Sequence, residues 1–307
     1  MEPLALDLRV EVAGIALKNP VMPASGTFGF GEELSRWFDL RELGAVVTKT
    51  ITLEPRPGNP PPRLQETYCG LLNSVGLQNP GLEIFLRDKL PFLQELGLPL
   101  IVSIAGKTVE EYRELAGRLA PVAGISALEV NISCPNVKEG GVAFGSVPSL
   151  AAKVTEAVKE VCPLPVIVKL TPNVTDIVAV ARAVEMAGAD ALALINTLTG
   201  MAIDLERFRP ALGNVWGGLS GPAIKPVALW AVWRVYEAVK IPLIGMGGIM
   251  TGRDALEFIL AGATAVAVGT ASFLNPLSMV QIIEEIKGFM LQHRISRLAS
   301  LVGAAHR

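Results

Sequence analysis

Cys134 lies in the segment VNISCPNVKEGG, where an apolar run gives way to a loop closed by Pro135 and opened by Gly140–Gly141. A cysteine is most often a small core hydrophobe, and Cys162 and Cys69 read that way. In a polar loop between Pro and Gly, Cys134 reads instead as a proton acceptor. A thiol of reference pKa about 8.5 serves that role when its neighbours favour the thiolate. Lys49 and Lys169 each end an apolar run. An ammonium there calls for a carboxylate, a phosphate or a polarised carbonyl; the alternative is a lysine snorkelling at a rim. Ser25, Thr50, Ser103, Asn131, Ser133, Thr171, Asn196 and Thr197 also stand at or near the ends of such runs. Polar groups so placed are costly unless they bind something. One could be structural, but a converging ring reads as a site. Gly247–Gly248 and Gly269–Thr270 could let backbone N–H groups approach a phosphate, with Gly221 beside them where Pro222 suits a helix start. The bland alternative for these glycines is a set of tight turns.

Such residues converge only if the elements behind them form one mouth. Apolar runs near Val21–Ala24, Ala45–Thr50, Leu100–Ala105, Ala127–Ile132, Val166–Leu170, Ala191–Asn196, Leu243–Met246 and Ala265–Val268 read as strands. Amphipathic stretches at Val109–Leu119, Leu150–Val161, Asp176–Ala187, Ile224–Val239 and Gly252–Ala261 read as helices between them. This alternation predicts right-handed βαβ units. Eight strands predict an α/β protein, a (β/α)8 TIM barrel forming a single domain over 1–307. In that fold the ends of the strands carry the active site. Two connections, about Ile51–Asn79 and Thr197–Pro222, are too long for plain turns and read as functional loops. The chain is expected to finish in a helix ending in SRLASLVGAAHR, packed outside the barrel.

Composition limits the alternatives. Half the residues are hydrophobic and only 18% are charged, so a large core can be buried. Lys plus Arg is 27 against 29 Asp plus Glu, a net charge of -2 without a basic stripe, which argues against nucleic-acid binding. No apolar stretch reaches roughly 18 residues, so no membrane span is expected. Met1–Val12 alternates apolar and polar residues without the pattern of a secretory signal, and a cytoplasmic protein is expected. The three cysteines form no CxxC pair and the only histidines are His293 and His306, so no metal site or iron–sulfur cluster is expected from this chain alone.

Taken together, the segments NPVMPASGTFG, GAVVTKTITLEPRPGNPPPR, LLNSVGLQNPG, VNISCPNVKEGG, VKLTPN, INTLTGMAID, GGLSGPAIKP and IPLIGMGGIMTGRDALEFILAGATAVAVGTASF resemble the dihydroorotate dehydrogenase family over nearly the whole chain. The resemblance implies oxidation of dihydroorotate to orotate in pyrimidine biosynthesis. It implies one FMN per chain, its phosphate on Gly247, Gly248, Gly269 and Thr270 with Gly221 alongside. Ser25, Lys49, Thr50, Asn131, Lys169 and Ile195 complete the expected flavin site. Substrate is expected on Lys49, Asn73, Ser74, Val75, Gly76, Leu77, Asn131, Asn196 and Thr197. Asparagine suits a pyrimidine ring because its amide both donates and accepts. Cys134 would take a proton from substrate C5 while hydride leaves C6 for the flavin, and Lys169 would stabilise the charge that develops. The family often carries Asn where this sequence has Ser103, so Ser103 is not among the expected flavin ligands.

The segments SGTFGFGEE, TLEPRPGNPPPR and LLNSVGLQNPG resemble the soluble class that passes electrons to NAD. That resemblance implies a homodimer of this chain joined by two partner subunits carrying FAD and a 2Fe–2S cluster. The membrane-associated class, with a serine base and an N-terminal extension, resembles it less. The rivals are a fumarate-linked homodimer of the same family, another flavin barrel such as a dihydrouridine synthase, and a non-catalytic flavin- or phosphate-binding barrel subunit.

Overall fold

Strands that are apolar on both faces must be covered on both faces, and a closed parallel barrel ringed by helices does this. The computed structural model describes residues 5–133 and 143–307. Eight strands form its central sheet: β1 (Val21–Pro23), β2 (Val46–Val47), β3 (Leu100–Ile104), β4 (Ala127–Asn131), β5 (Val166–Lys169), β6 (Ala191–Leu194), β7 (Leu243–Met246) and β8 (Ala263–Val268). Each expected strand is found, within a few residues at its ends. Neighbours run in parallel in the order β1-β8-β7-β6-β5-β4-β3-β2. The seam between β1 and β2 has no ladder. There the Gly44 N–H donates to the Val21 carbonyl at 2.9 Å. A Cβ on Gly44 would stand 2.0 Å from the Asn19 carbonyl oxygen, so only glycine permits this approach. The Asn19 side chain secures the same corner, donating to the Glu42 carbonyl at 2.8 Å and accepting from the Val21 N–H at 3.0 Å.

The surrounding helices are α1 (Leu90–Glu95), α2 (Val109–Leu119), α3 (Pro148–Lys159), α4 (Ile177–Met186), α5 (Lys225–Tyr236), α6 (Gly252–Leu260), the short α7 (Ala271–Leu274) and α8 (Ser278–Gln292). The five helices expected between strands are α2 to α6. Their starts follow capping chemistry: Thr108 accepts from the Glu111 N–H, Asp176 from Val178 and Ala179, and Thr251 forms a reciprocal box with Asp254. Helix α1 is the last part of a helical segment that begins at Leu82 and passes through a π-helical stretch at Phe85–Lys89; it was not legible, with Pro91 inside it and the π stretch shifting the spacing before it. No helix among the described residues is long and apolar enough to cross a membrane.

The end of the chain differs from expectation. Helix α8 stops at Gln292, and the tail continues as two 3-10 turns, Leu298–Leu301 and Ala304–His306. Arg294 at φ 53° breaks the helical path. The tail does lie against the helices outside the barrel: the His306 ring stacks on Trp233 at 3.6 Å between centroids, and its Nε2 lies 3.0 Å from the Ala261 carbonyl oxygen.

The two long connections are not separate loops. They combine into one antiparallel four-stranded sheet, in the order Leu198–Gly200, Gly217–Ser220, Gly70–Asn73 and Leu64–Thr67. Gly218 pairs with Asn73, Leu219 with Leu72 and Ser220 with Leu71. This sheet stands beside the C-terminal ends of the barrel strands and walls the mouth.

Candidate active site

A cavity of about 650 Å³ opens between the barrel mouth and that upper sheet. Ser25, Lys49, Thr50, Asn131, Lys169 and Ile195 line it from the strand ends, as do Asn196 and Thr197. Asn73, Ser74, Val75, Gly76 and Leu77 line it from the upper sheet and its following turn, and Gly221, Gly247, Gly248, Gly269 and Thr270 from one end. The expected site residues thus share one space, with one exception: Cys134 lies outside the described residues. The Leu194–Ile195 peptide bond at the end of β6 is cis.

Beneath the cavity a polar chain crosses the barrel. Ser103 donates to Glu129 Oε1 at 2.8 Å, because a carboxylate can only accept. With its one proton used, the Ser103 hydroxyl accepts from Thr50 Oγ1 at 2.9 Å. Lys169 Nζ lies 3.0 Å from Ser25 Oγ and 3.8 Å from Glu129 Oε1. The lysine and glutamate side chains are 6% and 4% exposed, so this is a buried ion pair, with every member hydrogen-bonded or charge-paired. Ser103 is fully buried below the cavity and carries Glu129 rather than lining the space. Glu129 was not singled out from the sequence. The available signal was a lone charge within the strand run ALEVN, where no solvated face exists to receive it.

At the amide-rich end, Asn196 Nδ2 donates to Ser133 Oγ at 2.7 Å and to Asn131 Oδ1 at 3.4 Å, while its Oδ1 accepts from the Thr197 N–H at 2.8 Å. Asn131 Oδ1 also accepts from the Ser133 N–H at 3.2 Å. Asn73 is held by donation to the Gly218 carbonyl at 3.1 Å, and Asn59 by donation to Ser74 Oγ at 2.9 Å. Asn173 joins β5 and β6 through the Thr197 carbonyl at 3.0 Å. These bonds fix amides contributed by four different segments in defined orientations.

The opposite end is built from backbone. Gly221, Gly247 and Gly248 have φ of 91°, 120° and 78°, a region that side chains rarely enter. A Cβ on Gly248 would also stand 2.7 Å from Lys225 Cβ and 2.9 Å from the Gly221 carbonyl oxygen. Gly269 is different: its added Cβ would come no closer than 3.7 Å to any atom, so the missing side chain keeps the cavity open instead of permitting packing. Among the described residues, the N–H groups of Gly247, Gly248 and Thr270 donate to no backbone acceptor. They form a cradle suited to phosphate oxygens. Thr270 donates to Ser220 Oγ at 2.8 Å and Ser220 to the Leu71 carbonyl at 3.2 Å, tying the upper sheet to this cradle. Lys225 anchors the Gly248 turn through Asp254 at 2.6 Å and Glu257 at 3.0 Å. Burial opposes the Asp254 carboxylate, yet hydrogen bonds from Lys225, Met250 and Thr251 outweigh it and hold its pKa below the ordinary value.

The lining residues include three cations, Lys49, Arg56 and Lys169, and no Asp or Glu among the described ones. This is a space for anions. It would hold a phosphate at the glycine end and a second anionic ligand at the asparagine end. The described cysteines divide. Cys162 is buried and burial pushes its thiol up, as suits a core residue. Cys69 is exposed at a hairpin turn with φ 60°, contrary to its reading as a core hydrophobe. Alternating runs flank Cys69 on the hairpin but do not bury its tip.

The sequence profile of the dihydroorotate dehydrogenase family matches residues 7–290. The chain belongs to the dihydroorotate dehydrogenase family. It is 62% identical over 298 residues to the protein named dihydroorotate dehydrogenase B (NAD(+)), catalytic subunit, of Desulforudis audaxviator, covering 97% of both chains. Proteins of the same name from a Geobacter species and from Desulforamulus reducens are each 58% identical. The first match covers 97% of this chain and 98% of that protein; the second covers 99% and 100%. Membership in the dihydroorotate dehydrogenase family sets aside the other flavin barrels. The relatives' names favour the NAD-linked class over the fumarate-linked one.

Within this family setting, several lining residues had not been anticipated: Arg56 and Asn59 on the first long connection, Asn214 and Trp216 on the second, and Phe273 on α7. Their segments are spread through the chain and meet only because the two long connections pair with each other.

Proposed function

We propose that this chain, as one barrel domain, is the catalytic subunit that oxidises dihydroorotate to orotate in pyrimidine biosynthesis and hands the electrons towards NAD. The observation that carries this reading is the cation-lined cavity with a glycine N–H cradle at one end and fixed asparagine amides at the other. FMN fits that cavity: its phosphate suits Gly221, Gly247, Gly248, Gly269 and Thr270, and its ring system suits Ser25, Lys49, Thr50, Asn131, Lys169 and Ile195. When bound, FMN supplies a two-electron acceptor for the hydride leaving substrate C6.

The protein's own residues do the rest. Lys49, Asn131, Asn196, Thr197 and the segment from Asn73 to Leu77 orient the pyrimidine ring through donors and acceptors that match its amides. Cys134 is the base that takes the C5 proton, so that loss of one proton and one hydride yields the orotate double bond. Lys169 is held by Ser25 and Glu129 and keeps a positive charge where negative charge accumulates during the reaction.

The names of the relatives designate a catalytic subunit, which supports a partner carrying the onward electron path. We place FAD and a 2Fe–2S cluster on that partner, with a homodimer of this chain joined by two such subunits in the cytoplasm. Anaerobic addition of dihydroorotate to the purified yellow chain tests the activity. Bleaching of the flavin band with an equal amount of orotate is expected. A flavin that stays oxidised in a folded, FMN-loaded protein overturns the assignment.

A further inference from the structure

Glu129 is the one charged residue in strand β4, ALEVN. Inward- and outward-facing residues alternate along a barrel strand, so Glu129 stands on the same face as Asn131, one layer further from the mouth. The register sets Ser103 of β3 beside Glu129, and Lys169 of β5 beside Asn131. The carboxylate thus belongs to the layer beneath the ammonium. Lys169 lines the cavity and Glu129 does not. Any influence of Glu129 on a ligand there runs through its charge and through the lysine, 3.8 Å from its Oε1.

Stability alone does not account for a carboxylate in this layer. A buried ion pair is often no more stabilising than apolar side chains of similar volume, and Ile167 of β5 takes the neighbouring place in the same layer. The reaction supplies a stronger reason. A hydride from substrate C6 brings two electrons and one hydrogen to the flavin ring, which leaves the ring with one negative charge. Lys49, Arg56 and Lys169 line the cavity, and among the described residues no Asp or Glu does. Cations close to a flavin ring favour its reduced form. The same two electrons must then leave towards NAD, and a strongly favoured reduced form opposes that second half. A carboxylate one layer down weakens the cationic field without occupying ligand space.

We propose that Glu129 is the countercharge that sets the reduction potential of the bound flavin. Paired with Lys169 from beneath, it offsets part of the lysine's field, and the Ser103 hydroxyl holds it in place at 2.8 Å. The inference rests on the reading of this cavity as the flavin site with Lys169 against the ring. A Glu129 that only steadied Lys169 would have the opposite effect: its removal would leave the lysine less well placed and the reduced flavin less favoured.

The test is the midpoint potential of the FMN-loaded protein, measured without oxygen against a reference dye in wild type, Glu129→Gln and Glu129→Asp. Glutamine keeps the size and can still accept from Ser103, whereas aspartate keeps the charge. Glu129→Gln is expected to favour the reduced flavin about 10- to 100-fold, as suits one unit charge acting past the lysine at an effective dielectric of about 20. That is a rise of about 30–60 mV for a two-electron couple. Glu129→Asp should stay within about threefold of wild type, because the charge remains. If Glu129→Gln retains FMN with an unchanged or lower potential, or if Glu129→Asp shifts as far as Glu129→Gln, the countercharge is overturned while the flavin site stands. Should Glu129→Gln lose its FMN, reduced-minus-oxidised infrared spectra of wild type decide, with Glu129→Asp assigning the band. An ionised carboxylate whose band moves on reduction supports the role; a protonated carboxyl, or a band that reduction leaves unmoved, overturns it. If wild type binds no FMN, the site reading itself is overturned, and the role of Glu129 with it.

Discussion

Replacement of Lys169 by Met is the sharpest test of the polar chain beneath the cavity. At 3.8 Å, and with an effective dielectric of about 20, the attraction between Lys169 and Glu129 is about 4 kcal/mol before desolvation is charged against it. Both groups are already desolvated in the folded barrel, so removing the lysine leaves Glu129 buried with Ser103 as its hydrogen-bond donor. Truncating one member of a buried pair costs about 3–5 kcal/mol for this reason. Lys169→Met is therefore expected to be less stable by about that amount, a fall in Tm of roughly 6–10 °C at about 2 °C per kcal/mol for a chain this size. Lys169→Met with Glu129→Gln should recover most of the loss, because no buried charge is then stranded. Urea unfolding at several FMN concentrations separates this folding loss from weaker flavin binding, since only the binding contribution follows the logarithm of free FMN. Two results refute the reasoning: a single variant as stable as wild type, or a double variant no better than the single.

Three further outcomes are expected. Cys134→Ala should slow flavin reduction by dihydroorotate at least about 100-fold while FMN and orotate still bind; stopped-flow reduction at a near-normal rate would remove Cys134 as the base. Gly248→Ala should weaken FMN about tenfold, because φ 78° costs an L-residue about 1–2 kcal/mol and the new methyl meets Lys225; an unchanged FMN dissociation constant would show that the turn is not the phosphate cradle. The depressed pKa of Asp254 means that its contribution is complete above the unfolded value of about 3.9 and lost as pH falls through the lower folded value. Asp254→Asn should therefore be less stable than wild type at pH 6, with the gap closing below about pH 4. Thermal melts showing the same gap at pH 6 and pH 3 would count against that account.

The barrel was legible because its strands announce themselves. Runs such as ALAL in β6 and VIVK in β5 are apolar at every position bar the last lysine, a pattern that only two-sided burial explains. Helix starts were legible where a cap precedes them, as at Thr108, Asp176 and Thr251. Helix α1 and the break at Arg294 were not, because the π-helical stretch Phe85–Lys89 ahead of α1 shifts the helical spacing and a left-handed residue other than glycine leaves no periodic trace.

The candidate site divides the same way. Residues directly at strand ends, Lys49, Lys169, Asn131 and Asn196 among them, and the glycines of the cradle could be read from one dimension: polarity interrupts an apolar run, or glycine marks a forced backbone. Residue order alone was enough for the alternation of strands and helices, the positions of these interruptions and the family they resemble. What stands beside what came from the packed fold. It paired Gly70–Asn73 with Gly217–Ser220, about 145 residues apart, to wall the cavity. It set Glu129 beneath Lys169 and turned Ser103 away from the cavity to hold it. It satisfied Arg63 within its loop and left Arg56 facing the ligand space. Periodicity reports which face of an element is buried, but pairing between distant segments depends on loop closure and on which polar groups find partners, and neither is written in local order.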